Sequence, residues 1–343
     1  MNNIFKYSPK ELTTDAFLNY LFIWLNDNNC LEIAKDILTK PKDRNKSTAN
    51  IKVERQVSFG KEKADLVVNF LLNEEYKSVL FENKTNTTTS KKQLMSYKKG
   101  EEKYKYNYLK LGYIDKKERK ICQDCGYDII DVNLLYNILL KINNPDLIIE
   151  QYKNYILNYY VNPLKEIIEK YKDGSIANKL CDQRAQLYLA DKLSDNFGIF
   201  EYNANNLPAN ENKYRIQYRS NIGGNPWTQI VLIENESKYP DSIFWRIDKR
   251  SGKYYIRLNM YSKSQNIDNK ERTERLKNLR DFSLKFFNKY PYLKQGKLSN
   301  RRGREREIVI FFFDENPLHK LLRKIREFTF EFKKFYHSKY YNH

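Results

Sequence analysis

The 343-residue chain is long enough for two domains, each with its own core, and its 41% hydrophobic and 15% aromatic residues are typical of a folded protein. No run of about 18 apolar residues is present, so no membrane span is expected. The N-terminal residues lack the apolar core of a signal peptide, which predicts a cytoplasmic protein. Four cysteines are too few and too scattered for a disulfide framework.

The net charge of +19 is distributed unevenly along the chain. Residues 1–175 hold 29 basic and 24 acidic side chains, whereas residues 176–343 hold 33 and 19. Of the 18 arginines, 15 lie in the second half, against a general bias towards lysine. Because arginine suits bidentate contacts with phosphate, the second half is predicted to carry most of a nucleic-acid surface. A solvated arginine-rich face is the open alternative.

The first helix is predicted to begin at Ser8-Pro9-Lys10-Glu11. Serine suits the N-cap, proline the first helical position, and Glu11 can close a capping box, which gives this glutamate an ordinary structural explanation. An apolar face at helical spacing follows and predicts core packing; it comprises Phe17, Leu18, Leu21, Phe22, Trp24 and Leu25. Residues 31–38 predict a second helix, followed by a polar loop.

Three β-strands are predicted next, over residues 51–57, 64–70 and 78–84. Asp65 opens the second strand, and the third ends in Glu82-Asn83-Lys84. Strand alternation places Glu82 and Lys84 on one face and Asn83 on the other. The hairpin that joins the second and third strands should bring Asp65 towards Glu82.

Two carboxylates and one ammonium at this point suit metal-assisted attack on a phosphodiester. Carboxylate oxygens are the ligands that Mg²⁺ prefers, with waters completing the shell. Lys84 would hold or activate the attacking water and offset charge on the phosphate. Glu54, in the first strand, is a further candidate carboxylate. For each residue taken singly, a solvent-facing strand position is the open alternative.

The order of these residues resembles that of the PD-(D/E)xK nuclease superfamily. Asp65 is followed by Glu82-x-Lys84 at a strand end and then by Gln93-x-x-x-Tyr97 on a predicted helix, as in the branch with a Gln-x-x-x-Tyr motif. Glu11 and the following Asp15-Ala-Phe-Leu resemble the helix before the sheet in that branch. The residue before Asp65 is alanine, where the family name has proline.

The resemblance covers about the first 140 residues and implies a restriction-endonuclease-like αβββαβ core. It implies Mg²⁺, for which Mn²⁺ can substitute, as the cofactor, and DNA as the substrate. The metal ligands that it implies are Asp65, Glu82 and Glu11. The catalytic residues that it implies are these three with Lys84, Gln93 and Tyr97.

The rest of the first half is predicted as a helix over residues 90–106, strands over 108–114 and 127–132, and a helix over 133–142. Between the two strands lies Cys122-Gln-Asp-Cys125, a lone C-x-x-C. A structural zinc site needs four ligands, and the histidines lie far away at positions 319, 337 and 343. Zinc is therefore not expected there.

A helix over residues 152–172 with a break at Pro163, and a linker at Asp173-Gly174-Ser175, divide the chain into a nuclease core (1–175) and a basic α+β domain for substrate binding (176–343). In the second domain we predict a helix over 177–193, four strands, a helix over 270–289, a strand over 308–313 and a closing helix over 318–335. A basic loop over residues 294–306 is the candidate nucleic-acid surface, through Lys294, Lys297, Arg301, Arg302, Arg304 and Arg306.

Together these patterns predict a mixed α+β protein that acts as a Mg²⁺-dependent deoxyribonuclease, an endonuclease of prokaryotic restriction or anti-invader defence. A non-catalytic nucleic-acid-binding or assembly protein with a relict nuclease core is the alternative. Homodimerisation is left open.

Overall fold

The computed structural model describes residues 3–7, 10–40, 43, 45–60, 62–98, 104–172, 175–197, 215–219, 226–233, 241–250, 252–262, 269–290, 293–298, 304–313 and 318–340. The fold is mixed α+β, as predicted, and has two compact units, Met1–Lys165 and Glu166–His343. The predicted linker lies later than this division, and its Asp173 and Gly174 are outside the described residues.

The first unit is built on a five-stranded sheet in which the strands follow one another in sequence order. Its strands are β1 (Thr48–Phe59), β2 (Glu62–Leu72), β3 (Glu75–Lys84), β4 (Tyr104–Lys110) and β5 (Asp128–Asp131). The first three are antiparallel, whereas β4 and β5 run parallel to β3. The parallel connections need crossovers, which the helices between these strands supply.

The helices of this unit give the predicted αβββαβ order with additions. They are α1 (Lys10–Asp27), α2 (Leu31–Leu38), α3 (Lys91–Ser96), α4 (Lys116–Asp124), α5 (Val132–Leu139) and α6 (Leu147–Ile156). A π-helical turn, Leu157–Val161, leads into α7 (Asn162–Lys172), which crosses into the second unit. The helix is irregular in this π turn, which ends two residues before Pro163, where the break was predicted. Proline has no N–H to donate to the preceding turn, which agrees with an irregularity at this point.

A two-residue turn sets the register of the β2–β3 hairpin. Leu72 pairs with Glu75, and the two residues between them, Asn73 and Glu74, have φ values of 48° and 67°. Positive φ at both central residues is the pattern of a type I′ turn, whose twist matches that of the strands. This turn fixes which residues face each other at the far end of the hairpin.

The predicted helix over residues 90–106 was too long. α3 ends at Ser96, and Tyr104–Lys110 forms β4, which pairs in parallel with β3 from Ser78 to Lys84. The alternating tyrosines at positions 104, 106 and 108 favour a strand, and pairing with β3 overrides the helical assignment of residues 104–106. The fourth strand accordingly begins before the predicted Tyr108.

Two hydrophobic clusters cover the two faces of this sheet. On one face, α1, α2, α5 and α6 pack on the sheet through residues such as Phe17, Leu21 and Tyr152. On the other face, Leu94 of α3, Cys122 of α4 and Cys125 just after α4 pack against Ala64 and Val67 of β2. The ends of β2 and β3 that carry the predicted site lie between these two layers.

The second unit holds a six-stranded antiparallel sheet in the order β10-β11-β9-β8-β7-β6. Its strands are β6 (Arg215–Arg219), β7 (Trp227–Ile233), β8 (Asp241–Arg250), β9 (Lys253–Ser262), β10 (Leu293–Gln295) and β11 (Glu305–Phe313). Its helices are α8 (Gln183–Phe197), α9 (Asn269–Phe287) and α10 (Leu318–Tyr340), after a 3-10 turn at Ser175–Lys179. None of the helices described in either unit is long and apolar enough to span a membrane.

Candidate active site

Asp65 and Glu82 meet at the open end of the β2–β3 hairpin. Leu66 of β2 lies opposite Phe81 of β3, so Asp65 and Glu82 are the next residues on the two strands. Oδ2 of Asp65 accepts a hydrogen bond of 2.7 Å from the backbone N–H of Asn83. The hairpin therefore places the two carboxylates at one position on the edge of the sheet, where the sequence pattern had predicted them.

Glu82 is buried, and both of its carboxylate oxygens are engaged. Oε1 accepts a hydrogen bond of 2.7 Å from Nε2 of Gln93, and Oε2 accepts one of 2.8 Å from the hydroxyl of Tyr97. The N-cap Ser90 accepts from the backbone N–H of Gln93 and so fixes the start of α3. The pair Gln93 and Tyr97, predicted to share a face, thus holds Glu82 from one side.

Lys84 lies on the same face of β3 as Glu82, and its Nζ is 2.5 Å from Oε1 of Glu82. Burial alone would lower the pKa of the Lys84 ammonium, but the negative charges of Glu82, Asp65 and Glu11 outweigh burial and raise this pKa. Lys84 is therefore a fixed positive charge at neutral pH. It is suited to stabilising negative charge rather than to accepting a proton.

The two carboxylates have raised pKa values. For Asp65, burial raises the pKa, the Asn83 hydrogen bond and the charge of Lys84 oppose it, and Glu11 adds to it. For Glu82, burial and then the charge of Asp65 raise the pKa, while Lys84 opposes them. Neighbouring carboxylates that are shielded from solvent and repel each other are stabilised in their charged form by an added positive charge, which is the electrostatic condition of a cation site.

Asp15 is a site residue that the sequence reasoning did not single out. It is buried on α1, and its Oδ1 accepts a hydrogen bond of 2.7 Å from Nδ2 of Asn83. Burial, with smaller contributions from Asp65 and Glu11, raises its pKa to about 6. Two features of the sequence could have identified Asp15. It lies four residues after Glu11, so the two share one face of the helix, and Asn83 is predicted to face the opposite side of β3 from Glu82 and Lys84.

Glu11 binds the loop that follows β3. Its Oε1 accepts a hydrogen bond of 2.8 Å from the hydroxyl of Thr87 and a longer one of 3.5 Å from the backbone N–H of Thr85. The proposed capping partner Ser8 lies outside the described residues. Glu11 is near enough for its charge to act on Asp65 and Lys84, so it belongs to the site, but its role as a metal ligand stays a prediction.

A buried ion pair fixes this loop from the other side. Nζ of Lys110 lies 2.5 Å from Oε2 of Glu118 and donates to the carbonyl oxygen of Thr87 at 2.9 Å. Oε1 of Glu118 accepts from the backbone N–H of Thr89 and from the hydroxyl of Tyr108. A single lysine–glutamate pair thus ties the loop to β4 and α4 and sets where α3 begins.

Gly112 allows the loop to approach the end of β4 closely. Its N–H donates to the carbonyl oxygen of Thr85 at 2.7 Å. A β-carbon at this position would lie 2.5 Å from that oxygen and 2.9 Å from Oδ1 of Asn86. Any other residue would therefore push the loop away from β4.

The described residues contain no group of three or more His, Cys, Asp or Glu side chains that could hold a metal ion. A metal site here would accordingly rest on Asp65 and Glu82, with waters as the other ligands, which is the usual arrangement for Mg²⁺.

Glu54 is exposed and accepts a hydrogen bond of 2.8 Å from Asn69, so it adds no third carboxylate to this edge. Cys122 and Cys125 are buried in the core, and burial raises the pKa of Cys122 to about 12.

The predicted basic loop of the second unit is partly strand. Lys294 lies in β10 and is exposed, and Lys297 is also exposed. Arg304 is exposed just before β11. Arg301 and Arg302 lie outside the described residues. Three basic side chains of the predicted surface are thus placed facing solvent.

Arg306 departs from the prediction of a solvent-facing loop. It lies in β11 opposite Met260, and its Nη1 donates to Oγ1 of Thr273 on α9 at 3.1 Å. The strand predicted over residues 308–313 begins earlier, at Glu305, because β9 supplies a pairing edge over that length. Arg306 therefore packs between the sheet and α9.

Several other arginines of the second unit are structural. Arg272 and Arg275 of α9 are buried and both form ion pairs with the buried Asp241. Nη2 of Arg257 forms an ion pair of 2.6 Å with Asp248, and Arg280 donates to the carbonyl oxygen of Glu307. Some of the arginines in this half therefore form contacts inside the fold. The count of arginines consequently overestimated the number that are exposed and available to bind nucleic acid.

No family model matches this chain, and no curated protein matches it. One solved structure is similar to it, that of the MspJI restriction endonuclease in complex with a 27-mer oligonucleotide. The similarity covers 45% of this chain and only 37% of that one, at 11% sequence identity and a TM-score of 0.26. A likeness this low assigns no family to the chain.

Proposed function

We propose that the chain is a Mg²⁺-dependent nuclease that hydrolyses DNA phosphodiester bonds at the site of Asp65, Glu82 and Lys84. The observation that carries the proposal is the convergence of the buried Glu82 and the half-buried Asp65, both with raised pKa values, with Lys84, which is held positive. A structural ion pair would need one acid for one base. The second carboxylate leaves negative charge for a cation to balance.

The donor set fits Mg²⁺. Asp65 and Glu82 offer hard oxygen ligands, and a small dication retains several waters, so it does not need a full protein cage. Mg²⁺ bound there would polarise the phosphate and lower the pKa of a bound water. Asp65 and Glu82 would hold the ion, and Lys84, whose Nζ contacts Oε1 of Glu82, would lie beside it.

The chain's own residues then have separate tasks. Lys84 offsets the negative charge that builds on the scissile phosphate, because its ammonium stays protonated. Gln93 and Tyr97 orient the Glu82 carboxylate by holding one oxygen each. Asp15 and Glu11 hold Asn83 and the loop after β3 in place, so that the edge of the sheet keeps its shape.

DNA is the proposed substrate and restriction or anti-invader defence the proposed setting. The exposed Lys294, Lys297 and Arg304 of the second unit support an anionic partner. The PD-(D/E)xK order of the site residues favours DNA over other phosphodiesters. Sequence preference and strand preference are properties that cleavage products would reveal.

The test is cleavage of plasmid and linear DNA by the full chain in Mg²⁺ and in EDTA. Glu82→Gln is the inactivating variant, and Glu54→Gln, an exposed glutamate on β1, is the matched control. The proposal requires Mg²⁺-dependent cleavage by the wild type and the control and none by Glu82→Gln. DNA binding without cleavage under every condition would favour the relict-core alternative.

A further inference from the structure

Gln56 has a backbone conformation that its residue type disfavours. It lies within the edge strand β1 with φ of 53°, in the left-handed region. Of the six non-glycine residues with positive φ in the described parts of the chain, four are asparagines, which tolerate that region better than glutamine does. A fifth, Glu74, belongs to the type I′ turn. Gln56 is left without a turn to explain it.

Asn50 of the same strand also has a positive φ, and a β-bulge explains it. Asn50 has φ of 51°, and the register of β1 against β2 shifts between Ala49 and Lys52. A β-bulge of this kind inserts a residue into one strand and commonly places it in the left-handed region. The conformation of Asn50 therefore follows from the bulge.

No such shift occurs at Gln56. The residues on either side of it pair with Leu66 and Ala64, in unbroken register from Lys52 onwards. Gln56 therefore lies directly opposite Asp65, with no extra residue to accommodate. A side-chain contact from Gln56 is among the influences that lower the pKa of Asp65, against the larger effect of burial, which raises it.

We propose that Gln56 is a positioning residue that holds the Asp65 carboxylate from the neighbouring strand. The inference rests on the proposed function. Residues directly opposite each other on antiparallel strands have β-carbons about 4.5–5.5 Å apart, so the side chain of Gln56 is within reach of the Asp65 carboxylate. A disfavoured backbone conformation that the surrounding structure maintains is a recurrent feature of functional sites.

The contact has a defined consequence for metal binding. The N–H of Asn83 already fixes Oδ2 of Asp65. A second donor from Gln56 restricts rotation of the carboxylate and leaves its remaining lone pairs in a set direction. Hydrogen-bond partners of metal ligands typically contribute about 10–100-fold to metal affinity or activity. Gln56 should therefore act on Mg²⁺ affinity and not on overall stability.

Three variants separate these roles. Gln56→Gly removes the carboxamide and accepts the left-handed backbone without strain. Gln56→Asn retains a carboxamide on a residue type that tolerates the conformation, and it serves if the glycine variant does not fold. Asn50→Gly is the matched control, because it makes the same change in the same strand away from Asp65. Each full-length variant is titrated with Mg²⁺ by calorimetry and assayed for DNA cleavage against Mg²⁺ concentration.

Gln56→Gly is expected to bind Mg²⁺ about 10–100-fold more weakly than Asn50→Gly, with cleavage recovering in part at high Mg²⁺. Gln56→Asn should lie between the two. Equal Mg²⁺ affinity in Gln56→Gly and Asn50→Gly, beside a wild type that cleaves, would overturn the positioning role alone. A wild type that neither binds Mg²⁺ nor cleaves would overturn the proposed function and this inference with it.

Discussion

Nδ2 of Asn83 donates to Oδ1 of Asp15 over 2.7 Å and joins the end of β3 to α1 beneath the site. The backbone N–H of the same asparagine donates to Asp65. Asn83 is thus the link between a buried acid on a helix and a carboxylate at the edge of the sheet. Both bonds depend on β3 ending where it does, so they couple the fold of the hairpin to the site.

The raised pKa of Asp15 predicts a pH dependence of stability. Its folded pKa of about 6 exceeds the ordinary 3.8, so the folded state binds the proton more tightly than the unfolded state does. The contribution of Asp15 to the free energy of unfolding is fully present below about pH 4 and is lost as pH rises through about 6. Each unit by which the folded pKa exceeds the unfolded pKa corresponds to about 1.4 kcal/mol. Asp15→Asn removes this loss, so its stability relative to wild type should rise between pH 4 and 7.

Urea unfolding without Mg²⁺ measures this difference. Asp27→Asn, an exposed position at the end of the same helix, is the control and should track wild type across the range. A constant difference between Asp15→Asn and wild type from pH 4 to 7 would show that folding does not raise the pKa of Asp15.

The two proposed metal ligands, Asp65 and Glu82, give the second prediction. Asp65→Asn and Glu82→Gln keep the size of each side chain but remove the negative charge that a cation needs, so both should abolish Mg²⁺-dependent cleavage while the chain stays folded. Circular dichroism checks the fold, and Glu54→Gln controls for loss of a strand carboxylate. Undiminished cleavage by either variant would remove that residue from the site.

How far the sequence predicts this site depends on the range of each contact. The partners of Glu82 lie within 15 residues of it, and strand alternation with helical spacing was enough to bring Lys84, Gln93 and Tyr97 to it. Asp15 and Asn83 are 68 residues apart, and only the packing of α1 on the sheet joins them. Local periodicity carries no information about such packing.

The same reason explains what failed in the second half. The prediction from residue counts treats every arginine as a surface charge. Arg272, however, forms an ion pair inside the fold with Asp241, which lies 31 residues earlier in the chain. The strand and helix patterns were nevertheless sufficient to predict a mixed α+β unit. Composition predicted the charge of this unit but not which charges are internal.

Lys84 gives the third prediction. Lys84→Ala should lower the rate of cleavage by about 10²-fold or more, because it removes a charge that acts on the transition state, yet DNA binding should change little. Lys77→Ala is the matched control at the opposite end of the same strand, where the lysine pairs with Glu75. Single-turnover cleavage and equilibrium binding, measured on the same preparation, separate the two effects. An equal fall in both would make Lys84 a contact of substrate binding.

The fourth prediction concerns the two buried ion pairs that Asp241 forms with Arg272 and Arg275. Asp241→Ala leaves two buried guanidinium groups without their shared carboxylate and should destabilise the chain by about 3–5 kcal/mol. Arg326→Gln, an exposed position on α10, should change stability little. Urea unfolding followed by tryptophan fluorescence is suited to this, because Trp245 is buried in the same unit. A small loss in Asp241→Ala would mean that these arginines reach solvent.

The last prediction asks which basic residues hold DNA. Lys294, Lys297 and Arg304 are exposed, whereas Arg306 packs against α9. If the first three contact phosphates, changing them together to Gln should flatten the slope of log affinity against log salt by up to about 0.9 for each lost duplex contact.

Adding Arg301→Gln and Arg302→Gln extends the test to the two arginines of the loop that lie outside the described residues. Arg306→Gln is the matched control within the same stretch: it should lower stability through the lost hydrogen bond to Thr273 and leave the salt slope unchanged. DNA affinity is measured by fluorescence anisotropy at several salt concentrations in EDTA, so that binding is followed without cleavage. A slope that falls only in Arg306→Gln would place the DNA surface on the α9 side of the sheet, and an unchanged slope in every variant would place it away from this stretch altogether.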